Sequence, residues 1–249
     1  MNKLQTRTLE KIRNKIWKTC DHFSMINEND NIVVGVSGGK DSLVLLDSLA
    51  TRRNTYKLNY QITAVHVNVN SVPYEIDSKY FIDFCNNLDV IPKIFNVDVD
   101  FSKNTDRGYC FACSWHRRKR LFDFTKEINA NKLALGHHRG DATETLLMNM
   151  FYHGSISGMP PVLSMFSGRI QLIRPLLYIT EDEVKNYSEI LNFKLIEKKC
   201  PYEDDTNRKF VRSILDNIHE HNKMALTNIF YSTTKIFEEY IPTERLKFR

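Results

Sequence analysis

The sequence predicts an α/β fold, a doubly wound parallel sheet with helical N- and C-terminal extensions. Short β-branched runs alternate with segments whose apolar residues recur at helical spacing, and such alternation is typical of parallel sheets covered on both faces. The chain of 249 residues is long enough for one large domain of this kind with a small appendage. Its apolar runs are only as long as strands, so no membrane span is expected.

Hydrophobic periodicity locates the individual elements. Strands are expected at residues 32–36, 61–68, 92–97, 132–135 and 170–175. Helices are expected at an N-terminal segment ending near residue 26, at 41–49, 73–88, 114–128, 143–152 and 180–191, and within 205–240. In the last segment, Phe210, Ile214 and Ile218 are expected to form the buried face.

Three parts are predicted along the chain. Residues 1–30 form an N-terminal helical extension, residues 31–200 form the α/β domain with a Cys-x-x-Cys insertion, and residues 201–249 form a C-terminal helical segment. The N-terminus has no apolar signal-peptide core, and five cysteines are an odd count. We therefore expect a cytoplasmic protein without a disulfide framework.

The most informative segment passes from a strand through a glycine turn into a helix. Residues 32–42 read Ile-Val-Val-Gly-Val-Ser-Gly-Gly-Lys-Asp-Ser. Gly38 and Gly39 lack a Cβ, so the backbone can adopt left-handed angles and turn successive N–H groups toward an anion at the helix N-terminus. Lys40 carries a charge suited to phosphate oxygens, and Asp41 beside it indicates a bridging Mg²⁺. The segment predicts a phosphate site rather than a simple capped turn.

Cys110 and Cys113 form a Cys-x-x-Cys pair ahead of a basic stretch. A helix start and nearby cations both favour the thiolate. Zinc needs two further soft ligands, whereas a redox dithiol needs none, and a [4Fe–4S] cluster with Cys200 as third ligand leaves one iron open to a sulfur species. The spacing alone leaves these three alternatives open. Cys20 and Cys85 lie within apolar helical patterns and are predicted to be buried.

Two stretches of the chain resemble known motifs. Residues 37–42 look like the PP-loop of the N-type ATP pyrophosphatases, which cleave ATP to AMP and pyrophosphate while adenylating a substrate. Residues 133–161, with Gly136-His-His-Arg-Gly-Asp141, closely resemble the second nucleotide-site motif of the tRNA 2-thiocytidine synthetase (TtcA-type) family. The resemblance covers most of the chain and includes Cys110-x-x-Cys113, Arg117-Arg118, Ile173-Arg-Pro175 and Cys200.

The resemblance implies the PP-loop, adenine nucleotide alpha-hydrolase-like form of the fold and a tRNA sulfurtransferase. It implies that ATP and Mg²⁺ are bound, and that Cys110, Cys113 and Cys200 hold a [4Fe–4S] cluster whose free iron carries the sulfur. AMP would be transferred to the C2 oxygen of a pyrimidine, and sulfur would displace it. Relatives that thiolate uridine usually carry terminal Cys-x-x-Cys zinc ribbons, which are absent here, so cytidine is the expected target.

The predicted catalytic residues flank the phosphate site. Asp41 and Asp141 are the expected magnesium-linked carboxylates, and Lys40 is expected to offset the charge of the leaving pyrophosphate. Gly140 stands where the family has the first residue of an acidic pair, which leaves Asp141 as the carboxylate. The predicted ATP-binding residues are Gly35, Ser37, Gly38, Gly39, Lys40, Asp41, Ser42, His66 and Gly136. His137 and His138 are either catalytic or ordinary rim histidines.

Basic residues are the candidates for contact with tRNA phosphates. They are Arg117, Arg118, Lys119, Arg208 and Arg212. Trp115 and Tyr152 are candidates for stacking on an extruded base, although aromatic side chains are more often buried. A basic run is also commonly a solvated face, so the charges alone do not establish a polyanionic partner.

Several partners and rival functions follow from the same residues. Expected partners are tRNA and a sulfur donor such as a cysteine desulfurase or sulfide; a homodimer is one candidate assembly, and no membrane is expected. The alternatives are a lysidine-type tRNA ligase, a uridine or small-molecule thiolase, and a non-catalytic nucleotide or Fe–S sensor. Pyrophosphate release that depends on tRNA separates an enzyme from a sensor.

Overall fold

The computed structural model of the chain describes residues 1–72, 76–100, 109–196 and 207–240. The chain divides into two compact units, the first made of Met1–Arg139 with Pro160–Asp205 and the second of Gly140–Met159 with Thr206–Arg249. The three-part division at residues 30 and 200 stays a prediction. Across the described ranges, every helix is too short or too polar to traverse a bilayer.

The first unit is built on a six-stranded sheet. The strands are β1 (Asn31–Gly35), β2 (Gln61–Val69), β3 (Ile91–Val97), β4 (Lys132–Leu135), β5 (Val162–Met165) and β6 (Ile170–Ile173). The helices are α1 (Lys3–His22), α2 (Lys40–Tyr56), α3 (Ser78–Asn87), α4 (Tyr109–Glu127), α5 (Arg139–His153), α6 (Glu181–Ile190), α7 (Asn207–His221) and α8 (Ala225–Ser232). Most of α5 and all of α7 and α8 lie in the second unit.

The strand order β3–β2–β1–β4–β6–β5 confirms the predicted doubly wound sheet. All neighbouring pairs are parallel except β5 and β6. The chain runs outward from β1 to β3 and then returns to the other side of β1, so the order reverses between β1 and β4. Ligands of open α/β sheets bind beyond the carboxyl ends of the strands at this point. The two motifs singled out in the sequence follow β1 and β4.

Strand β5 is an element that the sequence analysis missed. It follows Pro160 and Pro161 and spans Val162–Met165, with half-buried side chains at its two ends and exposed ones between them. A short edge strand after two prolines lacks the continuous apolar run of a buried strand, so its pattern resembles a loop. The sheet is consequently mixed at this edge rather than fully parallel.

Successive residues of the central strands face opposite sides of the sheet. Ile32 and Val34 pack into the core cluster that includes side chains of α1, α2, α3 and α6. Val33 packs on the other side with Leu121 and Phe124 of α4. The alternation accounts for the apolar strand runs, because parallel strands covered on both faces bury every side chain.

Helix α1 confirms the predicted amphipathic N-terminal helix. Its apolar stripe, which includes Leu9 and Ile16, is buried in the main core, and so is Cys20. Arg13 donates hydrogen bonds to the Asp47 carboxylate at 2.7 Å and to the Tyr187 hydroxyl at 2.8 Å. These buried polar contacts join α1 to α2 and α6.

Two details of the helix predictions are wrong. Helix α3 begins at Ser78, where the Asp77 side chain accepts from the Tyr80 N–H, and so does not include residues 76–77. In α7 the buried side chains are Val211 and Leu215, whereas Phe210 is exposed. The apolar pattern of α7 fits two adjacent faces, and packing with Leu147 of α5 buries the face that carries Val211 and Leu215.

Candidate functional site

The loop between β1 and α2 lies at the carboxyl edge of the sheet. The Val36 N–H donates to the Val65 carbonyl at 2.8 Å, which extends the parallel pairing beyond β1. Helix α2 begins at Lys40 with Gly39 as its N-cap, and no side chain caps the helix. The first N–H groups of an α-helix have no carbonyl partner within the helix, so they can bind an anion.

Gly38 is the residue that the loop geometry requires to be glycine. Its φ is +79°, and a Cβ built on it would lie 1.9 Å from Cδ1 of Ile196. The Ile196 N–H donates to the Gly38 carbonyl at 3.1 Å, so this segment covers the turn closely. Gly39, in contrast, has a φ of −82°, so of the two glycines Gly38 is the one that uses the left-handed region.

The two serines of the loop bond to the loop itself. The Ser42 hydroxyl donates to the Gly39 carbonyl at 2.9 Å and accepts from the Ser37 N–H at 3.1 Å. The Gly39 N–H points to the Ser37 hydroxyl at 3.4 Å. Ser42 is buried, so its hydroxyl closes the turn from within. These contacts indicate that the Ser42 hydroxyl shapes the loop.

Lys40 and Asp41 place opposite charges side by side at the start of α2. The Lys40 Nζ lies 3.1 Å from Glu181 Oε1 and 3.5 Å from Asp41 Oδ1. Burial lowers the pKa of Lys40, but the two carboxylates outweigh it, so the pKa is raised and the side chain is charged at neutral pH. The sequence analysis did not identify Glu181, because an acidic residue in the first turn of a helix such as α6 is typical of ordinary helix capping.

The Asp41 carboxylate has the environment expected of a cation ligand. Its Oδ1 is buried and accepts no hydrogen bond within the described part of the chain, although Lys40 Nζ lies 3.5 Å away and His138 Nε2 lies 3.8 Å away. A buried carboxylate oxygen without a donor is costly unless a cation compensates it. Together with an adjoining phosphate loop, this oxygen fits Mg²⁺, which binds through one or two carboxylates and phosphate oxygens.

The loop after β4 packs directly on this helix start. A Cβ on Gly136 would lie 3.0 Å from the Asp41 backbone carbonyl and 3.1 Å from the Ser42 nitrogen. The second motif therefore needs glycine at 136 because two backbones approach closely. His138 is buried beside Asp41, which brings the first and second motifs together within one unit.

His66 is placed differently from the other predicted nucleotide residues. Its ring is buried; Nδ1 lies 2.7 Å from the Val36 carbonyl and Nε2 lies 2.8 Å from Asn68 Oδ1. The side chain therefore supports the backbone of the PP-loop strand. Gly35, the last residue of β1, is restricted by Leu135, since a Cβ there would approach it to 2.9 Å.

Cys110 and Cys113 occupy the first turn of α4. Cys113 packs beside Ala112 against Val69, the last residue of β2, so the cysteine pair lies near the carboxyl edge of the sheet. Cys110 is exposed and Cys113 half-buried, which suits ligands of an accessible centre. Cys200 lies outside the described residues, and within the described ranges no three potential ligands converge on a metal site.

Burial confirms the prediction for the other two described cysteines. Cys20 and Cys85 are both buried in the main core. Burial raises the pKa of the Cys20 thiol to about 12, and that of the Cys85 thiol to about 12 as well. Both are small hydrophobic core residues rather than reactive groups.

The candidate RNA-binding residues differ in their local partners. Lys119 pairs with Asp123 at 2.9 Å, and Arg118 donates to the Ser114 carbonyl of its own helix. In the second unit, Arg212 pairs with the buried Glu144 at 2.6 Å. Arg208 lies 3.6 Å from Glu144 and 3.9 Å from Asp141, while Arg117 is half-buried on α4. The aromatic candidates Trp115 and Tyr152 are both exposed.

Comparisons with known proteins agree with this geometry. A family model described as a PP-loop domain matches residues 5–218. The chain is 32% identical over 249 residues to a tRNA-cytidine(32) 2-sulfurtransferase of Alcanivorax borkumensis, covering 99% of this chain and 86% of that protein. It is 28% identical over 251 residues to a protein of the same name from Geotalea uraniireducens, with 98% and 99% covered.

A solved structure extends the likeness to three dimensions. The U34-tRNA thiolase NcsA from Methanococcus maripaludis with its [4Fe-4S] cluster matches with a TM-score of 0.76 and 26% identity, over 97% of this chain and 82% of that one. The chain belongs to the PP-loop family, and within it to the group of the tRNA-cytidine(32) 2-sulfurtransferases. The resemblance inferred from residues 37–42 and 133–161 is thereby confirmed.

Proposed function

We propose that this protein adenylates the C2 oxygen of a cytidine in tRNA and replaces that oxygen with sulfur. The observation that carries the proposal is the juxtaposition, in one unit, of a phosphate loop after β1 and a cysteine pair beside the end of β2. The names of the relatives support tRNA as the substrate and cytidine as the target. The cysteine pair supports sulfur chemistry over amine ligation, which needs no such ligands.

The first half of the reaction takes place at the PP-loop. The cytidine C2 oxygen attacks the α-phosphorus of ATP, the bond to the β-phosphate breaks, and pyrophosphate leaves. We assign the N–H groups at the start of α2 and the charged Lys40 to the polyphosphate, where they offset the developing negative charge. Asp41, with Asp141 as the predicted second carboxylate, would hold Mg²⁺, which supplies further charge stabilisation when bound.

The second half of the reaction needs a sulfur nucleophile. Adenylation turns a poor leaving group into AMP, so sulfur can add at C2 and expel AMP, leaving the C2=S bond. We assign Cys110 and Cys113, with Cys200 as the predicted third ligand, to a [4Fe–4S] cluster that would present this sulfur at its open iron. Because Cys110 and Cys113 are three residues apart on helix α4, both thiolates could bind the same centre.

Nucleoside mass spectrometry tests the proposal. Cells that lack the gene should lose one thionucleoside from their tRNA, and 2-thiocytidine is the expected one. The wild-type gene should restore it, whereas Cys110→Ser should not; Cys85→Ser is the matched control and should restore it. Loss of a 2-thiouridine instead would identify uridine as the target base. Uridine is the relevant alternative because the chain is similar to a U34-tRNA thiolase. An unchanged nucleoside profile would contradict the proposal.

A further inference from the structure

One face of helix α4 exposes aromatic side chains next to the cysteine pair. Phe111 is 39% exposed and Trp115 is 46% exposed, and Arg118 follows one turn later on the same side of the helix. Spacings of four and three residues place these side chains in one row, which we call the α4 stripe. Further along α4, Leu121 and Phe124 are buried against the sheet.

The exposure of Trp115 is not explained by its contacts with the described residues. A helix packed on a sheet normally shows charged and polar residues to water on its outer face. Trp17, the other tryptophan of the chain, is buried and donates to the Ser48 carbonyl at 3.0 Å. Among the described residues, the ring contact of Trp115 is with the neighbouring His116 at 4.8 Å, so its large apolar surface is available to a partner.

Charge indicates which partner fits the α4 stripe. Lys119 and Arg120 are paired with Asp123 and Glu127 at 2.9 and 2.8 Å, which neutralises the carboxylates further along the helix. Arg118, in contrast, donates only to the Ser114 carbonyl and forms no ion pair with any described residue. The stripe thus combines exposed aromatic side chains with a cation that has no acidic partner among the described residues, which complements the bases and phosphates of a nucleic acid.

We infer that the α4 stripe binds unpaired nucleotides of RNA, with bases stacked on Trp115 and Phe111 and a phosphate held by Arg118. Unpaired bases are commonly bound by stacking on aromatic rings, while cationic side chains contact the backbone. Because the stripe adjoins Cys110 and Cys113, it would hold an unpaired segment close to the proposed sulfur centre. This inference rests on the proposed function for the identity of the RNA and adds its mode of binding.

Affinity measurements on matched variants test the inference. The probes are an unmodified tRNA transcript, a short unstructured pyrimidine RNA and a duplex RNA of equal length. Trp115→Ala should weaken binding of the unstructured RNA by about tenfold to a hundredfold, while Trp115→Phe should retain most of the affinity. Duplex RNA, whose bases are already stacked, should respond much less. Equal losses for both RNAs, or an unchanged affinity in Trp115→Ala, would overturn the inference.

Arg118 and Lys119 provide a second, independent comparison on the same helix. Arg118→Ala should lower the slope of log affinity against log salt by about 0.7, the value expected for one phosphate contact to a single strand. Lys119→Ala should change the slope less, because Asp123 already holds its ammonium group. An equal or larger effect of Lys119→Ala would contradict the assignment to Arg118. Both side chains are exposed, so neither variant should unfold the protein.

Tryptophan fluorescence gives a direct readout of the contact. Trp115→Phe provides the signal of the buried Trp17 alone, and the difference from wild type isolates Trp115. Unstructured RNA should quench this difference signal; binding without quenching would refute stacking on Trp115. If the wild type binds RNA through the stripe but releases no pyrophosphate with tRNA, the proposed function fails and the stripe stands. If pyrophosphate release depends on tRNA but Trp115→Ala binds RNA as tightly as the wild type, the inference about the stripe fails and the proposed function stands.

Discussion

Helices α2 and α4 both begin beyond the carboxyl ends of parallel strands, yet their first turns are opposite in character. Helix α2 is buried from Ser42 to Ala50, and the segment containing Ile196 closes over the loop that precedes it. The first turns of α4 expose Cys110, Phe111 and Trp115. The closed start suits the proposed polyphosphate site, and the exposed start suits the proposed contact with a macromolecule.

Packing explains why the two starts differ. The α2 start is enclosed because Gly136 of the β4–α5 loop allows close approach to the Asp41 backbone, and Gly38 of the PP-loop allows Ile196 to pack on the turn. At the α4 start, Ala112 and Cys113 pack into a small cluster that includes Val69, Val72 and Val99. A closed site would exclude water from the proposed adenylation, whereas an exposed surface would admit the tRNA of the proposed function.

The largest expected contrast lies in cysteine reactivity. Without a bound cluster, iodoacetamide should modify Cys110 and Cys113 on the order of a thousandfold faster than Cys20 and Cys85. The buried pair is protected by packing and by pKa values raised to about 12. Peptide mass spectrometry over a time course measures all four rates in one sample. Similar rates for the two pairs would show that the start of α4 is not open.

Asp41→Asn should produce the largest loss of activity among single changes at the α2 start. The substitution removes a buried carboxylate oxygen that has no donor partner among the described residues, so stability should change little or rise. Magnesium-dependent affinity for ATP and pyrophosphate release should fall by about a hundredfold. Glu181→Gln, which changes the other carboxylate near Lys40, is the control and should cost less. Full magnesium-dependent activity in Asp41→Asn would show that Asp41 does not take part in binding magnesium.

Gly38→Ala should damage the closed site through sterics. A left-handed φ of +79° and a contact of 1.9 Å with Ile196 should together cost about 2–4 kcal/mol of stability, and ATP affinity should fall. Gly39→Ala is the adjacent control: its φ is negative and its Cβ would meet only Ser37 Oγ at 3.5 Å, so the change should stay within about 1 kcal/mol. Thermal unfolding and calorimetry compare the two. Equal effects would indicate that the turn is not closely covered.

Gly136→Ala sharpens the same comparison with a smaller expected effect. The added methyl group would press on the Asp41 backbone at 3.0 Å, so the two motifs must separate slightly, at a cost of about 1–2 kcal/mol. ATP affinity should decline more than tRNA affinity, because the strain acts on the α2 start and not on α4. A variant that loses both affinities equally would contradict the separation of the two surfaces.

Local patterns were sufficient to predict the sheet and the phosphate loop. Buried parallel strands appear as continuous apolar runs, and the turn at residues 37–42 carries its own chemistry, so both are visible within short windows. Strand β5 was not visible because it is short, half-exposed and preceded by prolines. The buried face of α7 was misassigned because its apolar residues fit two neighbouring stripes, and only tertiary packing distinguishes them.

The site residues that sequence analysis missed act through contacts between distant segments. Glu181 reaches Lys40 from the first turn of α6, and Ile196 covers Gly38 after a chain separation that no local pattern encodes. Ser42 was predicted to bind ATP, and in the structure its hydroxyl donates to the Gly39 carbonyl within the loop. Spacing identifies which residues carry chemistry, whereas the identity of their partners depends on the fold.

Product analysis of ATP cleavage tests the central claim most directly. Purified protein, handled without oxygen and supplied with ATP, Mg²⁺, a sulfur source and unmodified tRNA, should form AMP and pyrophosphate in amounts equal to the thiolated nucleoside. Without tRNA, cleavage should be minimal. Formation of ADP and orthophosphate, or cleavage that is indifferent to tRNA, would contradict the assignment of the glycine turn after β1 to an adenylating site.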